Sequence, residues 1–353
     1  MQLGTIEGYF GSPWTWQQRT ETMRFLAPHG YGFHIYAPKA DTYLRREWRT
    51  PHPEATMAEL ARFGAGCRAA GVRFGVGLSP YEAYKDFDTG MADDLGAKLR
   101  FLDALGIDDL AILFDDMDGN LPDLAERQAR IINAAAERTG ASRIIVCPTY
   151  YSDDPVLDKV FGARPPDYLA SLGRLLDPAI DIFWTGEEVC SREFSPHHLD
   201  KIADLLRRRP LLWDNYPVND GQRMSQHLHL RAFTGRHGDL LKDRITGHAV
   251  NPALQPVLTR IPMLTLPESY RQGRDYCYGV SFRAAATQVL GAELAALVTL
   301  DLLTLQEFPR DLLGSRQQAL LDRYGAHPHP GAIEIVQWLR GDYRMDDSVV
   351  QTQ

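Results

Sequence analysis

The chain has 353 residues, of which 44% are hydrophobic and 24% are charged, the composition of an ordinary globular protein. Its formal net charge of −8 gives no basic surface of the kind that DNA or RNA needs, so no nucleic-acid partner is expected. A chain of this length buries a large core without disulfides or structural metals. The four cysteines stand far apart with no CxxC pair, which predicts reduced, structural thiols at Cys67, Cys147, Cys190 and Cys277.

The two segments that could carry a targeting or membrane signal do not have the required pattern. The N-terminal MQLGTIEGYF lacks the basic region and the apolar run of a signal peptide. The most apolar stretch, Val289 to Phe308, is interrupted by Glu293, Asp301 and Glu307, each of which is costly in a bilayer. We therefore expect a cytoplasmic protein with no membrane partner.

Short apolar runs alternate with amphipathic segments before residue 252, as in βα units on a parallel sheet. The predicted strands are Leu3–Glu7, Gly32–Ala37, Val72–Leu78, Leu110–Phe114, Arg143–Cys147, Ile180–Trp184, Pro210–Trp213 and Ile245–Ala249. The clearest predicted helices are Met57–Ala70, Met91–Ala104, Leu121–Arg138, Pro165–Leu176 and Pro196–Arg208. Ser195 before Pro196 has the pattern of an N-cap followed by proline at the first helical position.

This repeat pattern predicts an α/β fold, a (β/α)8 TIM-type barrel over residues 1–252. The competing fold is a doubly wound sheet, but Pro13 and two bulky aromatic residues spoil a GxGxxG turn in EGYFGSPW after the first strand. From about Pro252 the alternation stops. Residues 253–353 are predicted to form a helical appendage with helices at Ala284–Leu305, Arg316–Arg323 and Gly331–Arg340 and a frayed end at Asp346–Gln353.

The polar and aromatic residues at the predicted strand ends point to a site at the carboxyl rim of the barrel. The most informative segment is ILFDDMDG, where Asp115 and Asp116 follow an apolar strand. Adjacent residues of a regular strand face opposite ways, so both carboxylates can share a pocket only where the pleat breaks. Close carboxylates cannot both ionise easily, and one pKa should rise, as a general acid near neutral pH requires.

Metal binding is the alternative interpretation of the clustered aspartates and of the two histidines. Asp115, Asp116 and Asp118 resemble the start of a calcium loop, but the twelfth position carries no glutamate, and His227 and His229 are too few and misplaced for a zinc site. We therefore expect no metal and no cofactor. The strand-end aromatic residues fit a sugar site, in which rings stack on C–H faces; they are Tyr9, Phe10, Trp184, Trp213 and Tyr216.

The motifs together resemble glycoside hydrolase family 84, the family of O-GlcNAcases and bacterial β-N-acetylglucosaminidases. The motifs that carry the resemblance, in chain order, are EGYFGSPW, YAPKAD, LFDD, CPTYY, WTG, LLWDNYPVND and GHAVNP. The resemblance covers about Thr5 to Pro252, essentially the whole barrel. It implies retaining hydrolysis in which the 2-acetamido group of the substrate is the nucleophile and an oxazoline is the intermediate.

The resemblance also implies a role for each matching residue. Asp115 would orient the acetamide N–H, Asp116 would be the general acid and then the general base, and Tyr151 would bind the acetamide or the departing oxygen. Trp213 would wall the acetamide pocket. The sugar would be held by its hydroxyls and ring at Gly8, Lys39, Asn215, Asp220 and Asn251.

The chain departs from the family pattern at two positions, and two alternative functions are compatible with the same residues. Phe10 stands where the family has tyrosine, and Ala40 follows the YAPK lysine where the family has aspartate. A degenerate barrel could act as an N-acetylhexosamine-binding lectin, and an isomerase or amidase could use the same acid–base pair. The expected partner is an N-acetylglucosaminyl glycoside or glycoprotein, and the helical region offers a surface for a homodimer.

Overall fold

Eight parallel strands close into a barrel in the order of the chain, which confirms the predicted fold class. The computed structural model describes residues 2–345. The strands are β1 (Leu3–Ile6), β2 (Tyr31–Tyr36), β3 (Arg73–Leu78), β4 (Asp109–Leu113), β5 (Arg143–Cys147), β6 (Asp181–Trp184), β7 (Leu211–Asp214) and β8 (Gly247–Val250). Each predicted strand is present, with its ends shifted by no more than two residues.

Helices cover the outside of the barrel and continue beyond it. Those of the barrel are α1 (Trp16–Leu26), α2 (Glu54–Ala69), α3 (Thr89–Asp103), α4 (Leu124–Ala136), α5 (Pro155–Phe161), α6 (Tyr168–Leu175), α7 (Pro196–Leu206) and α8 (Gly238–Leu241). Those that follow β8 are α9 (Arg260–Gln272), α10 (Tyr278–Leu290), α11 (Ala292–Glu307), α12 (Ser315–Gly325) and α13 (Pro330–Arg340). The predicted N-cap of α7 is confirmed, because the Ser195 hydroxyl accepts a hydrogen bond from the N–H of His198.

The helical region after β8 differs from its prediction in two places. The single helix expected over Ala284–Leu305 is wrong, because Gly291 takes a left-handed φ of 76° and separates α10 from α11. Helix α9 was not predicted, since it contains Pro262 and Pro267, residues that usually end a helix. The predicted fraying of Asp346–Gln353 lies outside the described residues.

A second apolar core joins α9–α13 to the end of the barrel. It includes Leu258 and Ile261 after β8 together with Phe282, Leu294 and Trp338 from the later helices. The division into a barrel at 1–252 and a helical region at 253–353 stays a prediction. No helix among residues 2–345 combines the length and the apolar character needed to cross a membrane.

A buried charge cluster at the end of β1 ties the first two βα units together. The Glu7 carboxylate accepts hydrogen bonds from Arg19 Nε at 2.6 Å and Nη2 at 2.8 Å, and lies 2.7 Å from His34 Nε2. Burial alone would raise the pKa of Glu7, but the charges and hydrogen bonds of Arg19 and His34 outweigh it and lower this pKa to about 2. The ionised pair therefore stabilises the folded state.

We expect the Glu7→Gln variant to lose about 3–5 kcal/mol of unfolding free energy, because Arg19 remains as a buried charge without its partner. Asp94→Asn removes a pair whose side chains are 49% and 52% exposed and should cost less than about 1 kcal/mol. Since the folded pKa of Glu7 is depressed from 4.5 to about 2, its contribution is lost as pH falls through that interval. Urea unfolding of both variants checks this, and equal losses would contradict it.

Candidate active site

The two consecutive aspartates after β4 both line one cavity at the carboxyl rim. Leu113 pairs with Cys147 in the last register position of β4 and β5, so Asp115 and Asp116 leave the sheet just above this pair. Asp116 has a φ of 59°, a left-handed conformation that non-glycine residues seldom adopt. This turn breaks the strand alternation and brings the second carboxylate into the same cavity as the first, as the sequence predicted.

A buried lysine lies within ion-pair distance of the carboxylates of both Asp115 and Asp116. The Lys39 ammonium forms an ion pair with Asp115 Oδ2 and lies 3.6 Å from Asp116 Oδ2, and its side chain is only 2% exposed. Lys39 Nζ also lies 5.9 Å from the centre of the ring of Phe10, a residue that lines the cavity. Lys39 thus neutralises part of the charge of the two carboxylates, and its expected contact with a sugar hydroxyl stays a prediction.

The environments of the two aspartates differ. Burial raises the pKa of Asp116 above its usual 3.8, and the neighbouring Asp115 charge raises it further, while Lys39 opposes both effects. The Tyr151 hydroxyl donates a hydrogen bond of 3.3 Å to Asp116 Oδ1. Asp115 Oδ1 is buried and has no hydrogen-bond partner among residues 2–345. An unpaired buried acceptor of this kind is costly unless a ligand donates to it.

A chain of amide hydrogen bonds connects β7, β8 and β1 on the opposite side of the cavity. Asn215 Oδ1 accepts from Trp213 Nε1 at 2.9 Å and from Asn251 Nδ2 at 3.0 Å. Asn251 Oδ1 in turn accepts from the Gly8 N–H at 3.2 Å. A Cβ on Gly8 would lie 2.1 Å from the Trp213 ring, so only glycine fits beside this indole.

Two further contacts fix the rim on this side. Asp220 Oδ2 accepts a hydrogen bond of 2.8 Å from the Phe10 N–H. Asp214, which lies between two cavity residues in the chain, faces away from them and is buried. Its Oδ1 lies 2.6 Å from Arg236 Nη2, and its Oδ2 lies 2.9 Å from His248 Nε2. Side chains alternate in direction along Trp213, Asp214 and Asn215. The middle one therefore forms a structural ion pair, and its two neighbours line the cavity.

Most residues predicted from the sequence meet in the cavity. It is lined by Gly8, Asp115, Asp116, Tyr151, Trp213, Asn215, Asp220 and Asn251, all of them predicted site residues. Phe10, one of the aromatic residues expected at a sugar site, also lines it. Residues of the lining that were not proposed as site residues are Cys147, Thr185, Val189 and Gly221. Apolar residues such as Val189 carry no chemical signal in a sequence, and only their place after a strand end could have indicated them.

The cavity contains two of the five strand-end aromatic residues. Phe10 and Trp213 line the cavity, but Tyr9, Trp184 and Tyr216 do not. Tyr9 and Trp184 are fully buried in the core. The Tyr216 hydroxyl donates to the Arg231 carbonyl, which turns its ring toward the loop after β7.

Among residues 2–345 no group of three or more His, Cys, Asp or Glu side chains could hold a metal ion. The Nδ1 atom of His229 lies 2.9 Å from the Val218 carbonyl oxygen, and this contact supports the loop after β7.

Chemically, the site offers a carboxyl group paired with a lysine, a second carboxyl group with a raised pKa, and a set of side-chain amides. Such a set can exchange a proton with a polar, uncharged ligand.

The chain is similar to known glycoside hydrolases. The family model beta-N-acetylglucosaminidase, NAGidase, matches residues 3–301. The Protein O-GlcNAcase of Rattus norvegicus and that of Mus musculus are each 28% identical over 281 residues, which is 77% of this chain and 30% of each relative. The chain thus spans about a third of the length of these relatives.

A solved structure agrees in fold over nearly the whole chain. It is a mutant of Thermobaculum terrenum O-GlcNAc hydrolase, with a TM-score of 0.80 and 27% sequence identity. The match covers 96% of this chain and 80% of that chain, so it includes helices beyond the barrel.

The charges around Asp116 predict opposite pKa changes in two variants. Lys39→Met should raise the pKa of Asp116, because it removes a positive charge, and Asp115→Asn should lower it, because it removes a negative one. Carbon-13 titration of labelled aspartate carboxyls, assigned with Asp116→Asn, measures both shifts. Lys85→Met, on an exposed pair with Asp118, is the control and should change nothing. Shifts in the reverse directions would refute this electrostatic account.

Proposed function

Because the chain belongs to glycoside hydrolase family 84, the beta-N-acetylglucosaminidase family, we propose that it is a retaining exo-β-N-acetylglucosaminidase of the O-GlcNAcase type. The observation that carries the proposal is the pair of unlike carboxyl groups in one cavity. Asp115 is paired with Lys39 and has a buried oxygen without a hydrogen-bond partner among residues 2–345, while burial raises the pKa of Asp116. The pair matches a mechanism that needs one lasting anion and one proton donor.

In the first step, the acetamide oxygen of the substrate attacks the anomeric carbon. We assign Asp115 Oδ1 to the acetamide N–H, because this oxygen lacks a partner among the described residues and belongs to a cavity-lining side chain. A carboxylate at this position orients the acetamide and stabilises the positive charge that develops on it. The product of this step is a protonated oxazoline (oxazolinium), whose N–H stays hydrogen-bonded to the Asp115 carboxylate.

Asp116 supplies the proton in this step and recovers it in the next. Its protonated carboxyl gives the proton to the glycosidic oxygen as the aglycone leaves. The resulting carboxylate then takes a proton from water, which attacks the anomeric carbon and reopens the oxazoline, so that the β configuration is retained. Tyr151, hydrogen-bonded to Asp116 Oδ1, is placed to contact the departing oxygen or the acetamide.

The remaining site residues are assigned to the sugar. Asn215, Asn251 and Asp220 are already fixed by their hydrogen bonds to other rim groups, so little ordering is needed when the hydroxyls bind. Trp213 walls the acetamide pocket beside Gly8. We assign Lys39 first to the carboxylates, because its ammonium is buried against them, and its remaining donor to a sugar hydroxyl.

The lectin alternative and an isomerase or amidase are less well supported. Sugar binding by a lectin does not require a carboxyl group with a raised pKa beside a second carboxylate.

The proposed substrate is an N-acetylglucosaminyl glycoside or glycoprotein. A homodimer through the helical region, where Leu300 and Leu303 are exposed, is a proposal that light scattering can test. The cytoplasmic location and the absence of nucleic-acid and membrane partners stay predictions.

The two aspartates should respond differently to the leaving group. Asp116→Asn should keep appreciable first-step activity on aryl N-acetylglucosaminides with acidic phenols and nearly none on alkyl or serine-linked sugars, because only poor leaving groups need the proton. Asp115→Asn should lose on the order of 10²–10³ in kcat with every leaving group, by analogy with the loss of one oxyanion donor.

The measurement is kcat/KM for both variants across a series of phenols. If Asp115→Asn shows the steep dependence on leaving-group pKa and Asp116→Asn the flat one, the two assignments are reversed. If both variants keep the activity of the parent protein, the reaction takes place elsewhere.

A further inference from the structure

An arginine from the segment after β2 reaches the backbone of Asp116. Arg45 Nη2 donates a hydrogen bond of 3.1 Å to the Asp116 carbonyl oxygen. This contact joins residues that are 71 positions apart in the chain. Because Asp116 has a φ of 59°, its backbone needs support from the surrounding structure to stay in this conformation.

The burial of Arg45 is unusual for a charged residue whose side chain makes a single hydrogen bond among residues 2–345. Its accessible surface is 6% of the maximum, and it forms no salt bridge with any carboxylate of residues 2–345. Its Nη1 is also buried without a hydrogen-bond partner in that range. The guanidinium lies 5.0 Å from the centre of the Tyr81 ring, which supports it from the segment after β3. An unpaired buried cation is costly, and such exceptions concentrate at functional sites.

The Arg45 charge also acts on the Asp116 carboxyl, whose pKa it lowers, as Lys39 does. The groups that face Asp116 come from three elements of the rim. They are Lys39 and Arg45 after β2, Asp115 on its own segment, and Cys147 and Tyr151 at the end of β5. Arg45 differs from the others in holding the backbone of Asp116 as well.

We propose that Arg45 is a positioning residue for the general acid: it holds Asp116 in the left-handed backbone conformation that aims its carboxyl group at the leaving oxygen. The inference rests on the proposed function. It predicts that loss of Arg45 impairs proton donation to the aglycone and leaves acetamide attack and sugar binding largely intact.

The test compares Arg45→Met with Arg46→Met, because Arg46 is exposed and lies 5.1 Å from the same Tyr81 ring without contacting Asp116. Arg45→Met should lose roughly 10- to 100-fold in kcat on alkyl or serine-linked N-acetylglucosaminides, since a small misplacement of a catalytic group has effects of this size. It should keep most of its rate on a dinitrophenyl glycoside, with KM little changed. The basic limb of its kcat/KM profile should move to higher pH, because removal of a cation raises the pKa of Asp116.

Arg46→Met should match the parent protein in all three readouts. In the Asp116→Asn background, Arg45→Met should add little further loss, because the group that it positions is already removed. If Arg45→Met does not fold, Arg45→Lys decides: it keeps the charge but not the planar fork, so the basic limb should stay in place while the loss on alkyl glycosides remains.

Equal losses on good and poor leaving groups, or an additive loss in the Asp116→Asn background, would overturn the proposal and leave Arg45 as a structural residue. A parent protein that hydrolyses none of these glycosides would instead refute the proposed function, so the two failures are distinguishable.

Discussion

The arrangement of the site depends on one ion pair, between the buried Lys39 ammonium and the carboxylates that follow β4. Two carboxylates beside one ammonium repel each other, and in a buried site the repulsion is stronger than in solution. One cation reduces this repulsion without removing it. Burial and the Asp115 charge therefore keep the pKa of Asp116 raised, although Lys39 opposes them. The unlike properties of two identical side chains follow from where Lys39 lies.

The barrel makes this arrangement possible because it brings strand ends from distant parts of the chain to one rim. The acid side is built from the segments after β2, β4 and β5. The opposite side is built from β7, β8 and β1, whose amides are joined through Gly8, Asn251 and Asn215. Below this side, the buried Asp214–Arg236 pair fixes the end of β7. The side chains of each half are held by hydrogen bonds or ion pairs within the protein, which lowers the entropy cost of binding a sugar.

The sequence predicted the barrel and most of the cavity lining, because both depend on local patterns. Strands are recognisable as short apolar runs, and unusual polar residues directly after them lie at a common rim. The pleat break at Asp116 was also predictable. Adjacent residues of a regular strand face opposite ways, so two consecutive aspartates can share one pocket only where this alternation stops. The prolines of α9 concealed a helix because packing overrode their local preference. Gly291 did the reverse: its positive φ separates two helices that the apolar pattern had joined.

What could not be predicted are the contacts that join distant segments. Arg45 lies in a polar stretch beside Arg46 and Arg49, and nothing local distinguishes the buried arginine from its exposed neighbours. The ion pair of Lys39 with the carboxylates after β4 is likewise a property of the closed barrel. The buried Tyr9 and Trp184 show the same limit, because a strand-end aromatic residue can face the core or the cavity with the same sequence pattern.

Hydrolysis by this site, as proposed, uses the acetamide of the substrate as the nucleophile. Stepwise fluorination of the acetyl group in an aryl N-acetylglucosaminide tests this most directly, since each fluorine withdraws electrons from the attacking oxygen and leaves the rest of the substrate almost unchanged. We expect kcat/KM to fall steeply and monotonically from acetyl to trifluoroacetyl. Rates that do not change along this series would contradict it and would place the nucleophile on the protein or on water.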